Sequence, residues 1–135
     1  SLGSVVLLHG DTLCTDDYDY QQFRSLTRET SWQTNFLNQP LQTRREFAQE
    51  ARSKSKEATA KKPGLIMDVN NDAVLKCFKN SGSNLMIHGH THRPAQHTDI
   101  LGAGSGTRVV LGDWDKKGWY AEIKNRKLTL SSFLI

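Results

Sequence analysis

The chain has few of the residues that hold small extracellular proteins together. Only two of its 135 residues are cysteines, Cys14 and Cys77, and they lie far apart, outside any C-x-x-C spacing. We therefore expect free thiols in a reducing compartment and no disulfide scaffold. Long apolar runs are also missing. No stretch approaches the ~20 residues of a transmembrane helix, so the sequence predicts no membrane-spanning segment.

The formal net charge of +4 comes from one part of the chain. Residues 43 to 62 hold seven arginines and lysines against three glutamates, whereas acidic residues cluster at residues 11 to 19. Such a basic segment is typical either of a surface that faces an anionic ligand beside metal ions or of a solvated helix face. Its cations do not alternate with a series of aromatic side chains, so we expect no nucleic-acid partner.

Two short apolar runs, which we predict to be buried strands, each end in a His-Gly pair. Residues 5–8 precede His-Gly-Asp at residues 9–11, and residues 85–87 precede His-Gly-His-Thr-His at residues 88–92. Functional groups in open α/β sheets lie at the carboxyl ends of the strands, so we expect both histidine segments at one edge of a sheet. Glycine lets the backbone turn sharply there. Because imidazole nitrogens bind divalent transition metals, the pattern predicts a metal site.

The remaining pattern is that of an α/β domain with a long helical segment between its first two strands. We place a helical insert at residues 18 to 80 of a single domain that covers residues 1 to 135. A simple crossover needs about a dozen residues or more, so the insert is either a lid or substrate-binding subdomain, or a set of packing helices. Further strands are predicted at residues 84–87, 108–111, 120–123 and 127–130, the last two in a hairpin around Asn125.

Four segments carry a resemblance to a known enzyme family. They are residues 9–17 (His-Gly-Asp-Thr-Leu-Cys-Thr-Asp-Asp), 66–70 (Ile-Met-Asp-Val-Asn), 87–94 (Ile-His-Gly-His-Thr-His-Arg-Pro) and 109–114 (Val-Val-Leu-Gly-Asp-Trp). In these segments the chain resembles the UDP-2,3-diacylglucosamine hydrolases of the calcineurin-like metallophosphoesterase superfamily, which act in lipid A biosynthesis. The family's Asp-x-His and Gly-Asn-Arg-Asp motifs do not occur in the chain, and neither does the block between them whose Gly-Asp pair carries the bridging aspartate. The resemblance therefore implies the C-terminal half of such an enzyme.

The resemblance implies an α/β fold of the calcineurin-like type, a four-layer α/β/β/α sandwich, here its C-terminal half with a helical cap insert. It implies hydrolysis of the pyrophosphate bond of UDP-2,3-diacylglucosamine to UMP and 2,3-diacylglucosamine 1-phosphate (lipid X), with two Mn²⁺ ions in the complete enzyme. Such an enzyme would be cytoplasmic and peripheral on the inner face of the inner membrane of a Gram-negative bacterium. The chain alone is expected to be inactive, because its N-terminal metal ligands are missing.

The resemblance also implies roles for individual residues. His9 and His90 would hold one metal and His92 the other, with His90 also taking part in catalysis and substrate binding. The other substrate-binding positions would be Asp17, Ser55, Thr59 and Lys62. Thr59 stands where the family more often has asparagine. His88 lies outside the family's ligand set, and we predict a structural role for it in the loop.

Other interpretations of the sequence remain open. The chain could come from a metallophosphoesterase that acts on a different nucleotide or phosphoester, or it could be a metal- or anion-binding module without catalysis. Asp11 is expected to orient a ligand or to contact the substrate. Four apolar side chains of the helical insert could line an acyl-chain groove or could simply form helix core: Trp32, Phe36, Leu37 and Phe47.

Overall fold

The computed structural model describes residues 3–61 and 68–135. The chain divides into two compact units, one made of Ser1–Cys14 with Val69–Ile135 and the other of Thr15–Asp68. The helices are α1 (Tyr18–Arg28), α2 (Thr30–Leu37), α3 (Leu41–Lys61) and α4 (Asn71–Ser81). The strands are β1 (Val5–Leu8), β2 (Leu85–His88), β3 (Ala95–His97), β4 (Thr107–Val110), β5 (Lys117–Lys124) and β6 (Lys127–Leu134). Of the helices among these residues, none combines the length and the apolar character needed to cross a membrane.

The first unit is built on a four-stranded sheet with the order β1-β2-β4-β3. Strands β1, β2 and β4 are parallel, and the register aligns Leu8 with His88 and His88 with Val110. The three parallel strands therefore end at the same level, as expected for residues that must meet at one edge. Strand β3 pairs antiparallel with β4 and was not predicted. The mixed α/β class is thus confirmed, while the four-layer sandwich stays a prediction.

Strand β1 lies at the edge of this sheet and is less buried than its apolar sequence predicts. Leu7 is 71% exposed, and no residue of the strand is fully buried. The prediction of a buried strand was therefore correct for β2, apart from the half-buried Ile87, and wrong for β1. A continuous apolar run identifies a strand but does not say whether that strand is central or peripheral.

Helix α4 packs on the sheet and builds the core of the first unit. Its buried residues Val74 and Phe78 contact Leu13 and Met86. Asn70 caps the N-terminus of the helix, since its side-chain oxygen accepts hydrogen bonds from the backbone N–H groups of residues 72 and 73 over 2.9 and 3.1 Å. Because α4 belongs to the first unit, the separate helical unit is shorter than the predicted insert of residues 18 to 80.

Strands β5 and β6 form the predicted hairpin, with eight residues in each strand. The two-residue turn consists of Asn125 and Arg126, both with positive φ (50° and 62°). This is the backbone shape that matches the twist of paired strands, and asparagine adopts it more readily than most residues. The strands extend further than predicted because antiparallel pairing continues beyond the apolar core of each segment.

The second unit contains α1, α2 and α3. No residue of α1 or α2 is fully buried. A small aromatic cluster joins α2 to α3: Trp32 stacks on Phe36 with ring centroids 4.8 Å apart, and both rings contact Phe47 at 5.6 and 5.2 Å. At least these three of the four apolar side chains considered above therefore pack against one another, whereas Leu37 is exposed.

Candidate metal centre

Two loops meet at the carboxyl edge of the sheet in the first unit. The backbone N–H of Gly89 donates to the carbonyl oxygen of His9 over 3.0 Å, which joins the loop after β1 to the loop after β2. The N–H of Leu111 donates to the carbonyl oxygen of His88 over 2.7 Å. This bond connects the residue after β4 to the end of β2. The prediction that both His-Gly segments lie at one edge is confirmed.

His9 presents an exposed imidazole that is oriented by a buried carboxylate. Its Nδ1 lies 3.2 Å from Oδ1 of Asp11; the two side chains are 63% and 6% exposed, respectively. A carboxylate beside one ring nitrogen holds the proton there and leaves the lone pair on the other, Nε2. In most metal-binding histidines the ring nitrogen that does not bind the metal donates its N–H in this way to a carboxylate, a backbone carbonyl or water. The contact fits the orienting role that was one of the two functions predicted for Asp11, and that role stays a prediction because no ligand assignment is tested.

His90 lies beside His9, with ring centroids 4.9 Å apart and planes inclined at 62°. His90 and His92 both have positive φ, 67° and 52°, which is uncommon for residues with a β-carbon. The His90 side chain is partly buried, whereas that of His92 is exposed. Such backbone outliers occur often at functional sites, where the surrounding structure holds them in place.

Gly10 allows the two loops to approach closely. Its φ is 111°, and a β-carbon there would lie 2.8 Å from Nδ1 of His88 and 2.9 Å from the carbonyl oxygen of Gly89. Real β-carbons do not come so close to other heavy atoms, so the contact requires glycine. The close spacing of the two loops thus depends on the second residue of the His-Gly-Asp segment.

His88 is buried, and both of its ring nitrogens have partners within the chain. Nδ1 lies 2.9 Å from the carbonyl oxygen of Gly89, and Nη1 of Arg108 lies 3.0 Å from Nε2. This geometry fits the structural role predicted for His88. Arg108 was not predicted to belong to the site. An arginine inside an otherwise apolar strand was the signal, because arginine is rarely buried without a partner.

Apart from His90, the predicted substrate-binding residues lie in the second unit or outside the described residues. Asp17 precedes α1, and its Oδ1 accepts the backbone N–H of Tyr20 over 3.2 Å. Ser55 is exposed on α3. Thr59 lies in the backbone of α3, but its side chain and the whole of Lys62 lie outside the part of the chain that the structure describes. Residues 66 and 67 of the second family segment lie outside it as well.

The basic segment forms much of the exposed surface of α3. Lys54 and Glu50 form an ion pair one helical turn apart, with Nζ and Oε1 separated by 2.6 Å. The hydrogen bond from Lys54 lowers the pKa of Glu50, and the same bond raises the pKa of Lys54. Both groups are fully solvated, so this pair supports the helix only weakly.

The donors at the sheet edge fit part of a metal site. Imidazole nitrogen and carboxylate oxygen are both ligands of divalent transition metals, and His9 already has the carboxylate support that such ligands use. Within residues 3–61 and 68–135, no group of three or more His, Cys, Asp and Glu side chains is close enough to hold an ion. The assignment of His9, His90 and His92 as ligands therefore stays a prediction.

Comparison with known proteins shows a similarity that runs along nearly the entire chain. It is 45% identical over 129 residues to the UDP-2,3-diacylglucosamine hydrolase of Pectobacterium carotovorum subsp. carotovorum (strain PC1), covering 96% of this chain and 54% of that protein. The enzyme of the same name from Cellvibrio japonicus (strain Ueda107) is 42% identical over 128 residues, covering 95% and 53%. That from Tolumonas auensis is 45% identical over 128 residues, covering 94% and 52%. No protein-family model matches the chain.

These similarities confirm the resemblance predicted from the sequence segments. The chain spans about half the length of the curated relatives it matches. It is therefore homologous to part of the UDP-2,3-diacylglucosamine hydrolases, and this half contains the three histidines of the predicted ligand set.

Proposed function

We propose that this chain is part of an enzyme that hydrolyses the pyrophosphate bond of UDP-2,3-diacylglucosamine to UMP and 2,3-diacylglucosamine 1-phosphate in lipid A biosynthesis. The observation that supports this most directly is the similarity to enzymes of that name along 94–96% of the chain. The pairing of His9 with His90 at the carboxyl edge of the sheet supplies a matching location for the chemistry.

In this proposal His9 and His90 hold one Mn²⁺ ion and His92 holds the other. When bound, two adjacent ions supply a water nucleophile and stabilise the oxygens that enter and leave at phosphorus. Asp11 keeps the proton of His9 on Nδ1, so that the Nε2 lone pair is available as a ligand. His90 also contacts the substrate at the reacting phosphate.

The second unit has the proposed role of a helical cap that binds the substrate. Asp17, Ser55, Thr59 and Lys62 contact the nucleotide or sugar in this proposal, and the cations of the basic segment neutralise phosphate charge. The aromatic cluster and the exposed Leu37 offer apolar surface for the acyl chains. A substrate of this kind resides in a membrane, so we also propose a peripheral position on the inner face of a Gram-negative inner membrane.

The metal assignment can be tested in a complete enzyme that contains this chain. Alanine variants of His9, His90 and His92 should lose bound manganese and turnover together, whereas His88→Ala should lose much less metal. His97→Ala is the matched control, because His97 lies on β3, away from the strand ends that carry the other histidines. Equal manganese loss at His88 and His92 would contradict the ligand assignment.

Substrate contact can be separated from metal binding by variants of the basic segment. Ser55→Ala and Lys62→Ala should slow turnover at limiting substrate while manganese stays bound. The loss of a hydrogen bond to a charged group costs about 1.5–3 kcal/mol, which corresponds to roughly tenfold or more in rate. Ser53→Ala is the control, since Ser53 is an exposed serine of α3, the helix that carries Ser55. Full activity of both test variants would mean that the basic segment is only a solvated surface.

The substrate, and the contribution of the half of the relatives that this chain does not match, need separate assays. Release of UMP from UDP-2,3-diacylglucosamine should exceed hydrolysis of simple phosphodiesters; the reverse would favour another metallophosphoesterase. We expect the 135-residue chain with added Mn²⁺ to release no UMP. The imidazole ligands would be neutral and could not offset the repulsion between two adjacent divalent ions. Negatively charged carboxylates, above all a bridging one, would be needed to reduce that repulsion. Turnover by the chain alone would contradict this part of the proposal.

A further inference from the structure

One buried polar pair lies directly beneath the histidine loop and has no part in the mechanism proposed above. His88 is 1% exposed and Arg108 is 8% exposed, and Nη1 of Arg108 lies 3.0 Å from Nε2 of His88. The two residues come from neighbouring strands, β2 and β4. Burying a polar side chain costs free energy unless it is hydrogen-bonded, and here each side chain provides the other's partner. An apolar pair could fill the same space, so we ask what this hydrogen bond does for the loop above it.

The chemistry of arginine determines the protonation of His88. A guanidinium group donates hydrogen bonds and accepts none, so Nε2 of His88 must carry a lone pair. In a neutral imidazole the proton then resides on Nδ1. Nδ1 lies 2.9 Å from the carbonyl oxygen of Gly89, which can only accept. Both contacts therefore require the same tautomer.

Gly89 links this pair to the predicted ligands through the peptide groups on its two sides. Its carbonyl oxygen, in the peptide bond to His90, accepts from His88, and its N–H, in the peptide bond from His88, donates to the carbonyl oxygen of His9 over 3.0 Å. The φ of His90, 67°, depends on the orientation of the Gly89–His90 peptide. A β-carbon on Gly10 would lie 2.8 Å from Nδ1 of His88, so the loop after β1 packs directly against the His88 imidazole.

We infer that Arg108 is a positioning residue. By donating to Nε2 it holds His88 in the Nδ1–H tautomer, and His88 then fixes the Gly89 peptide so that His90 faces His9. The link from this arrangement to turnover rests on the proposed function. The arrangement itself does not, because it consists only of contacts within the chain.

The direct test is the tautomer of His88 in the metal-free 135-residue chain, read from long-range ¹H–¹⁵N correlations of its five labelled histidines at constant neutral pH. Wild-type His88 should have its proton on Nδ1 alone. In Arg108→Met, which keeps a long side chain without donors, His88 should become a mixture of both tautomers. Arg126→Met, at the exposed hairpin turn, should leave the spectrum of His88 unchanged. A wild-type His88 protonated on Nε2 would overturn the inference.

Two variants of His88 separate its two hydrogen bonds. His88→Asn places an amide N–H near the former Nδ1, whereas His88→Gln places an amide near the former Nε2. Slow hydrogen exchange of the Gly89 amide should persist in His88→Asn and accelerate by about tenfold or more in His88→Gln and Arg108→Met. Equal exchange in both His88 variants would mean that His88 only fills space.

These measurements use neither metal nor substrate, so failure of the proposed function leaves them unaffected. If Arg108→Met does not fold, the wild-type tautomer and the two His88 variants still decide the inference. In the complete enzyme, Arg108→Met should lower kcat/KM more than tenfold, because it displaces His90, which in the proposed function contacts both a metal ion and the substrate.

Discussion

Replacing Gly10 by alanine would test how closely the two histidine loops approach each other. Gly10 has a φ of 111°, and a β-carbon there would lie 2.8 Å from Nδ1 of His88 and 2.9 Å from the Gly89 carbonyl oxygen. The carbonyl belongs to the backbone, so it cannot rotate away as a flexible side chain would. We therefore expect the loops to separate or the sheet edge to lose stability.

The size of the effect follows from two contributions. An L-residue with a left-handed backbone loses roughly 1–2 kcal/mol, and overpacking of a close contact adds about 1–3 kcal/mol. Gly10→Ala should thus lower the free energy of unfolding by about 2–5 kcal/mol. Gly82 is the matched control, because it has a φ of 61° and no atom lies within 4 Å of the position that a β-carbon would take. Gly82→Ala should cost only about 1–2 kcal/mol.

Urea unfolding of the chain, followed by circular dichroism and by amide exchange in β2, measures both variants. With an m-value of about 1–3 kcal/mol/M, a difference of 1 kcal/mol shifts the urea midpoint by roughly 0.3–1 M, so the two variants are readily separated. The cost of Gly10→Ala should also shrink in a His88→Ala background, because the two side chains then no longer compete for the same space. Equal destabilisation by Gly10→Ala and Gly82→Ala would refute the close approach of the loops.

Three further predictions concern the first unit. Phe78→Ala should cost about 3–5 kcal/mol in urea unfolding, because the ring is fully buried in the core, whereas Leu75→Ala on the same helix, 41% exposed, should cost less than about 1 kcal/mol. Asn70→Ala should cost about 1 kcal/mol and Asn70→Asp almost nothing, since an aspartate retains the oxygen that caps α4; equal losses would contradict the cap. Cys77 should react with a thiol reagent at least about tenfold faster than the buried Cys14 in the native chain, and both should react alike in urea.

The sequence predicted the strands that bear the site but not their environment. The apolar runs before the two His-Gly pairs did form parallel strands with aligned ends. Their similar sequences gave no sign that β2 is central and β1 peripheral, because that depends on strand order. Strand β3 has only three residues, Ala-Gln-His, with no alternating apolar pattern. It forms through pairing with β4, a contact that local propensity does not encode.

The helical character of residues 18 to 80 was predictable, but the partners of the helices were not. Both α1 and α4 have apolar residues at helical spacing, yet α4 packs on the sheet and α1 belongs to the second unit. Helical periodicity shows that a helix has an apolar face and leaves open which surface that face covers. The predicted insert of residues 18 to 80 includes α4, whereas the second unit ends at Asp68, and the role of the insert as a cap stays a prediction.

The role of Arg108 illustrates why part of the site could not be derived from motifs. The register aligns Arg108 with Met86, two residues before His88 and on the same face of the sheet. Two residues of a strand span about 6.5 Å, a distance that an extended arginine side chain can cover and a shorter one cannot. A motif shows which residues follow a strand. It does not show which side chains of the neighbouring strands hydrogen-bond to those residues, because that depends on strand register and side-chain length. The sequence thus predicted the loop that carries His90, but the contact that holds this loop is visible only in the folded chain.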